Sequence, residues 1–440
     1  MLKRKSDSEL AQIAASLIKE IGEKLDANIS VKLWDGTLVP LGTNVTSNHI
    51  ISIASPGVIA SLLKGPSLDK LIRHYIHKKI DFEGGTLFDI AEPLVFSHTR
   101  KRLKEIKKST FLKKLSPFLL VKAEQPEASR AFQGDETGSN ASARDEKKFM
   151  EFHYDVSNEF YKLFLDERMI YTCAYFTDWN NDLDQAQYDK LDMICKKLRL
   201  KKGEHMLDIG CGWGGLLIHA AENYGIKGHG VTLATEQYEL AKQRIKEKGL
   251  EDQITIELKD YRDLDGKFDK ISSIGMYEAI GIKAVPEYLQ KVRSLLKPEG
   301  LFLNHGITRK GKKKKTKFSA RPEQRALQKY IFPGGELDDL GNTISKMEQT
   351  GFEVQDVEGW RMHYQLTTKI WCDRLTAKKQ EAIAIVGEET YRIWVVYLAG
   401  CSLAFMRGSA RLYQTVATHN AKAMPATPQT RADLYQDKAP

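Results

Sequence analysis

The run Asp208-Ile-Gly-Cys-Gly-Trp-Gly-Gly215 sets glycines at 210, 212 and 215. That is the G-x-G-x-x-G spacing of a turn whose bare backbone lets a nucleotide approach closely. The turn needs an apolar strand before it and a helix after it. The sequence predicts both, a strand over 205–209 and a helix over 214–224. A dinucleotide site would carry an acidic residue about 20 positions on, at the end of the second strand. That strand, 228–233, ends Gly230-Val-Thr-Leu233 with no carboxylate. The acid sits instead at Asp208, before the first glycine. D-x-G-x-G-x-G favours S-adenosylmethionine; a dinucleotide or a non-binding turn remain the alternatives.

Further predicted elements position this turn. A helix over 236–248, strands over 254–258 and 268–274, a helix over 285–296 and a strand over 301–304 follow in order. Lys297-Pro-Glu-Gly300 is a helix-stop signal. Such alternation predicts an α/β fold with a parallel, doubly wound, Rossmann-like sheet. Residues 10–21 read as an amphipathic helix, 29–34 and 37–41 as a hairpin about Asp35-Gly36, and 66–76 as a helix.

A chain of 440 residues predicts two or three domains. The polar stretch 121–148 reads as a linker. It divides a smaller α+β N-terminal domain, 1–120, from a catalytic domain, 149–420, and a tail, 421–440. Five cysteines without C-x-x-C spacing argue against a disulfide framework or a structural zinc and fit a reducing cytoplasm. No metal is expected. The basic N-terminus lacks the apolar stretch of a signal peptide. The apolar run 393–406 is shorter than the roughly 20 residues a spanning helix needs. The net charge of +9 is concentrated in 100–114, with eight Lys/Arg and one Glu, and in the KGKKKKTK run 310–317. These runs suit an anionic lipid surface, and the ordinary alternative is solvated surface. No aromatic-plus-basic nucleic-acid module accompanies them.

The motifs HYDVSNEFY (153–161), MIYTCAYF (169–176), LDIGCGWGG, GVTLATEQ (230–237), KDYRDL (259–264), GMYEAIG (275–281) and KYIFPGG (329–335) occur in order. Together they resemble the cyclopropane-fatty-acyl-phospholipid synthases and the related mycolic acid cyclopropane synthases over about 153–417. The N-terminal 120 residues resemble the accessory domain of that family more loosely.

The resemblance implies a class I S-adenosylmethionine-dependent methyltransferase fold and a specific reaction. A cis double bond of an acyl chain takes the sulfonium methyl, a carbocation forms, and loss of a methyl proton to bound bicarbonate closes the ring. It implies that Glu278, His305, Ile307, Tyr364 and Cys173 line the bicarbonate site. Tyr171 and Thr172 fall near the methionine end of the cofactor; Asp208, Gly210, Gly212 and Gly214 form the turn. Thr232, Leu233 and Gln237 meet the ribose, and Asp260 and Tyr261 the adenine. Cys401, in LAGCSLAF, matches a further cysteine of the family, but its apolar helical setting suggests packing.

Simpler readings stand beside these: a surface position for Glu278, a satisfied core histidine for His305 and a small buried filler for Cys173. The chain departs from the family pattern at Ala279, where many relatives have His, and at Gly306, where Thr or Ser is commoner and glycine would widen the pocket.

The partners implied are unsaturated phospholipid chains at an anionic membrane, with no nucleic acid and room for a homodimer. The location implied is cytoplasmic, peripheral to the inner face of the membrane. Three alternatives compete. One is a related C-methyltransferase leaving a methyl- or methylene-branched chain. The second is a non-catalytic lipid-binding protein. The third is a protein or nucleic-acid methyltransferase, which Gly275-Met-Tyr-Glu278 disfavours because it replaces the N-P-P-[YF] docking motif for an exocyclic amine.

Overall fold

The computed structural model describes residues 5–95, 114–126, 131–132, 156–311, 322–419 and 427–435. The basic run 100–113, most of the predicted linker and residues 312–317 of the second basic run lie outside these residues, as do residues 153–155 of the first motif.

Two compact units form. The first comprises Met1–Ala131, Ala320–Tyr330 and Cys372–Leu403; the second, Phe132–Ser319, Ile331–Trp371 and Ala404–Pro440. The contiguous division expected from sequence is therefore replaced by an interleaved one. Side-chain chemistry explains why the two later segments join the first unit. Tyr330 donates its hydroxyl to Asp69 at 2.8 Å, beside the Lys329–Asp69 ion pair at 3.2 Å. Arg392, buried, donates Nε to the Tyr75 carbonyl at 2.7 Å and pairs with Asp81 at 2.8 Å.

In the first unit the predicted N-terminal helix forms over Asp7–Leu25. Ser6 caps it: its hydroxyl accepts from the Glu9 amide, and Glu9 accepts from the Ser6 amide. Leu10, Ala14 and Leu17, spaced for one helical face, are buried. The predicted hairpin is β1 (Ser30–Lys32) with β2 (Leu38–Pro40). With β3 (Ile50–Ile53) and β4 (Ile80–Glu83) they make a sheet in the order β2-β1-β3-β4. The helix predicted over 66–76 forms over Leu68–Ile76.

The second unit holds a seven-stranded sheet. Its strands are β5 (His205–Ile209), β6 (Lys227–Thr232), β7 (Ile254–Leu258), β8 (Phe268–Ile274), β9 (Leu296–Arg309), β10 (Phe352–Gly359) and β11 (Ala410–His419). The order is β10-β11-β9-β8-β5-β6-β7. Helices Gly215–Tyr224 and Thr235–Glu247 pack an apolar core on one face, and Val285–Leu295 packs another on the opposite face. The α/β doubly wound expectation is met, with one correction. The sheet is not wholly parallel, because β11 runs antiparallel between β9 and β10. That strand also explains why β9 outgrows its predicted 301–304 range: nine consecutive β11 partners, Ala410 to Thr418, satisfy the β9 backbone from Leu301 to Arg309.

β5 is flanked by β6 on one side and β8 on the other, so the strand order reverses there. Ligands of open α/β sheets bind beyond the carboxyl ends of the strands at such a point. Asp208 and the glycine turn occupy that end of β5.

Candidate active site

The turn after β5 is built by backbone that side chains would spoil. Gly210, Gly212 and Gly214 have φ of 77°, 55° and 77°, in the region that favours glycine. A Cβ on Gly210 would come within 2.6 Å of Met276 Cγ, whereas one on Gly212 would meet open space. The amides of Gly210 and Cys211 both donate to the Val231 carbonyl at 3.0 Å, pinning the turn to β6.

Asp208 is buried and accepts from the Ser272 hydroxyl at 2.6 Å. Burial pushes its carboxyl up to about 6, opposed by that hydrogen bond and by the Lys190 charge. Lys190 went unnoticed in the sequence. It is buried on the helix Leu183–Lys197 and donates Nζ to Thr172 Oγ1 at 2.9 Å. Burial lowers it to about 8, and Asp166, Cys173 and Asp208 support its charge. One turn earlier, Gln187 donates to the carbonyls of Ile170 and Thr172 at 3.3 and 2.9 Å. One helix face thus holds the Ile170–Thr172 backbone and the Thr172 hydroxyl, with the Lys190 charge also felt by Asp208.

Tyr171 lies among aromatic rings. Its centroid is 5.2 Å from Trp371, 5.3 Å from Tyr161 and 6.3 Å from Phe164, and Tyr161 is 5.1 Å from Trp213. Such a wall excludes water and offers negative π faces to a cation.

Beyond β6, the Thr232 hydroxyl donates to Gln237 Oε1 at 2.8 Å, and both residues are buried. That bond leaves the Gln237 NH2 group facing away from Thr232. Leu233 follows, half-buried. The Asp260 carboxylate is engaged by Arg262, through the backbone amide at 2.8 Å and the guanidinium at 2.9 and 2.7 Å. These bonds hold it below the usual carboxylate range against the opposing effect of burial. Tyr261 is buried edge-on to Tyr288, centroids 5.4 Å apart.

The second group of residues centres on β9. Glu278 lies on the short helix Tyr277–Ile280 after β8. The Ile307 amide is 3.4 Å from its Oε2 and donates to it. Burial raises the Glu278 carboxyl to about 7, and the bonds from its own amide and that of Ile307 only partly offset the rise. His305, two residues before Ile307, shares its face of β9. It is buried, its Nδ1 is 3.0 Å from Gln414 Nε2, and its Nε2 has no partner among the described residues. Burial, with Lys190 and Lys197 nearby, holds its pKa well below the usual value, so the ring is neutral.

Gly306 has a different role from the one expected. A Cβ there would lie 3.1 Å from Tyr277 Cβ and 3.4 Å from Asn304 Nδ2. The glycine lets the Glu278 helix press against β9 and does not simply widen a pocket. Ala279 belongs to the same short helix, its amide donating to the Met276 carbonyl at 3.0 Å.

Cys173 is fully buried, its Sγ 3.1 Å from the Ala174 carbonyl, and burial pushes its thiol well up. A reactive thiolate needs the opposite setting. Tyr364, on the helix Arg361–Ala377, stacks on Phe405 at 4.5 Å and meets Trp371 edge-on at 6.2 Å. It therefore adjoins the aromatic wall around Tyr171. Cys401 belongs to the first unit, whereas the other candidates belong to the second. Burial raises its thiol to about 12, in keeping with a packing role.

A seven-stranded sheet with this glycine turn, Asp208 at the carboxyl end of β5, and an uncharged pair of Thr232 on the next strand with Gln237 on the helix after it defines an S-adenosylmethionine-dependent methyltransferase. Residues 141–415 match the family described as mycolic acid cyclopropane synthetase, and the chain belongs to that family. It is similar to a probable fatty acid methyltransferase of Pseudomonas putida, 37% identical over 97% of this chain and all of the relative. It is 40% identical to the cyclopropane-fatty-acyl-phospholipid synthase of Escherichia coli K12, over 60% of this chain and 66% of that protein. Among solved structures, the cyclopropane synthase MmaA2 from Mycobacterium tuberculosis matches with a TM-score of 0.59 and 30% identity, covering 62% of this chain and 98% of that one. The mycolic acid cyclopropane synthase CmaA1, solved with S-adenosylhomocysteine and CTAB, gives the same figures. No helix among the described residues is long and apolar enough to cross a membrane.

Proposed function

We propose that this chain is a cyclopropane-fatty-acyl-phospholipid synthase that adds a methylene to the cis double bond of unsaturated phospholipid acyl chains. The observation that carries the reading is that Glu278, held near neutrality by burial, accepts from the Ile307 amide of β9, the strand that two residues earlier carries His305, whose buried Nε2 has no partner among the described residues. A small protonated oxyanion fits such a pair, since Glu278 can share a proton with it and His305 can contact a second oxygen.

S-adenosylmethionine, when bound, supplies an electrophilic methyl group. In this reading Tyr171, Thr172, Asp208, Gly210, Gly212 and Gly214 hold its methionine end. Thr232, Leu233 and Gln237 hold the ribose, with Asp260 and Tyr261 at the adenine. Bicarbonate, when bound, supplies the base. Glu278, His305, Ile307, Tyr364 and Cys173 surround it. The rings about Tyr171 shield the substrate carbocation from water and stabilise it by cation–π attraction.

A second reading has a specific observation in its favour. One relative, similar over nearly the whole chain, is described as a probable fatty acid methyltransferase. The same cation, losing a different proton, would leave a methyl or methylene branch.

The basic runs 100–114 and 310–317 would dock the enzyme on the anionic inner face of the membrane. Cosedimentation with anionic vesicles tests this. Equal binding after deletion of residues 1–120 removes the N-terminal unit from docking. For the substrate, vesicles of cis-unsaturated phosphatidylglycerol should gain one CH2 per modified chain, with the chain still esterified. Modification of free fatty acids alone would overturn the phospholipid assignment.

A further inference from the structure

Three strands bring one polar row together. Glu358 of β10 is the register partner of Gln414 of β11, and Gln414 is the register partner of His305 of β9. Paired residues on adjacent strands project to the same face. Lys197 completes the row from the helix Leu183–Lys197. It is buried, ion-paired with Glu358, and 2.6 Å from Gln414 Oε1.

The chemistry of the donors settles how this row is oriented. An ammonium group has donors and no acceptor. The Gln414 atom facing Lys197 must therefore be its carbonyl oxygen, and the NH2 group faces His305 Nδ1 at 3.0 Å. An NH2 group donates, so Nδ1 accepts and carries no proton. The neutral ring then bears its proton on Nε2, the buried atom with no partner among the described residues. Trp360, edge-on to the ring at 5.6 Å and 86°, restrains its plane, and Lys197 lies 5.0 Å above that indole.

We propose that Gln414 is a positioning residue: held by Lys197, which pairs with Glu358, it fixes His305 in the Nε2–H tautomer, so that His305 presents a neutral donor to an anion oxygen. The use of that donor rests on the bicarbonate reading; the tautomer itself does not. A ring with the proton on Nδ1 would present a lone pair at Nε2 and would repel an anion oxygen there.

The test reads the proton directly. Long-range nitrogen–proton NMR of the full chain with labelled histidine, without substrate, gives each ring's tautomer. The His305 signal among the eleven histidines is identified by its loss in His305→Gln. The wild type should show a pyrrole-type Nε2 and a pyridine-type Nδ1. Gln414→Glu keeps the shape and a partner for Lys197 but places a carboxylate oxygen at Nδ1. It should move the proton to Nδ1 or protonate both nitrogens. Methyl transfer should then fall by about 10- to 100-fold in kcat, the usual scale for an outer-shell partner, with KM for S-adenosylmethionine unchanged. A wild-type Nδ1–H ring overturns the inference, as does a Gln414→Glu protein whose His305 keeps the wild-type pattern. If Gln414→Glu does not fold, the wild-type spectrum and a Gln414→Leu variant, which should lose the fixed tautomer, decide the matter. Because these spectra need no substrate, finding a branched product in place of a ring would unseat the proposed reaction and leave the tautomer assignment standing.

Discussion

Replacing Glu278 by Gln should stabilise the protein while abolishing its chemistry, and the gain should depend on pH. Burial raises the Glu278 carboxyl from its ordinary 4.5 to about 7, which corresponds to about 3 kcal/mol against the ionised form. Below 4.5 the group is protonated in both the folded and the unfolded chain, and there is no penalty. Between 4.5 and 7 the folded protein binds more protons than the unfolded one, so stability falls as pH rises. Above 7 the full penalty applies. The side-chain amide of the Glu278→Gln variant has nothing to ionise. The variant should therefore be more stable than the wild type by up to about 3 kcal/mol at about pH 8, and the gain should shrink towards zero near pH 4.5. Whole-chain melts are unsuitable for two compact units. Hydrogen exchange of the β8 and β9 amides, corrected for intrinsic rates, reads the catalytic unit alone. An equal difference at both pH values would refute the argument that burial holds Glu278 near neutrality. A functional carboxylate that costs stability is the expected trade-off.

Lys190→Met should cost about 1–3 kcal/mol, because the part-buried Thr172 hydroxyl loses its donor and Asp166 and Asp208 lose a nearby positive charge; hydrogen exchange of β5 checks it, and a change within error contradicts the assignment. Gly210→Ala should weaken S-adenosylmethionine binding in calorimetry by about 5- to 150-fold, since φ of 77° and the 2.6 Å approach to Met276 together cost about 1–3 kcal/mol. Thr232→Val removes the hydroxyl that orients Gln237 and should raise the cofactor Kd by about fivefold, or about 1 kcal/mol. With its thiol raised to about 12, Cys401 should react with iodoacetamide at about pH 8 far more slowly than free cysteine; rapid labelling would revive it as a nucleophile.

The strands and helices around the glycine turn were legible because each carries its own local signal. Strands 205–209, 254–258 and 268–274 match β5, β7 and β8 residue for residue. Asp208 and the turn were legible for the same reason, as type and spacing within eight residues. Gln187 and Lys190 were not. Polar residues three apart on a helix read as a solvated face, and only the packed segment 171–173 makes that face interior. The Glu358–Gln414–His305 row was hidden because its outer links join residues far apart in sequence through an antiparallel strand that local patterning does not order. The interleaved units escaped notice because their bonds run from Asp69 and Tyr75 to Tyr330 and Arg392, far along the chain.

Whether the transferred methyl closes a ring is tested most directly by proton NMR of the product lipid. Vesicles of cis-unsaturated phospholipid incubated with the protein and S-adenosylmethionine should yield high-field cyclopropane methylene signals at the expense of olefinic protons. Vinylidene signals or a new methyl doublet, with no high-field ring protons, would contradict ring closure and establish the branched-chain reaction instead.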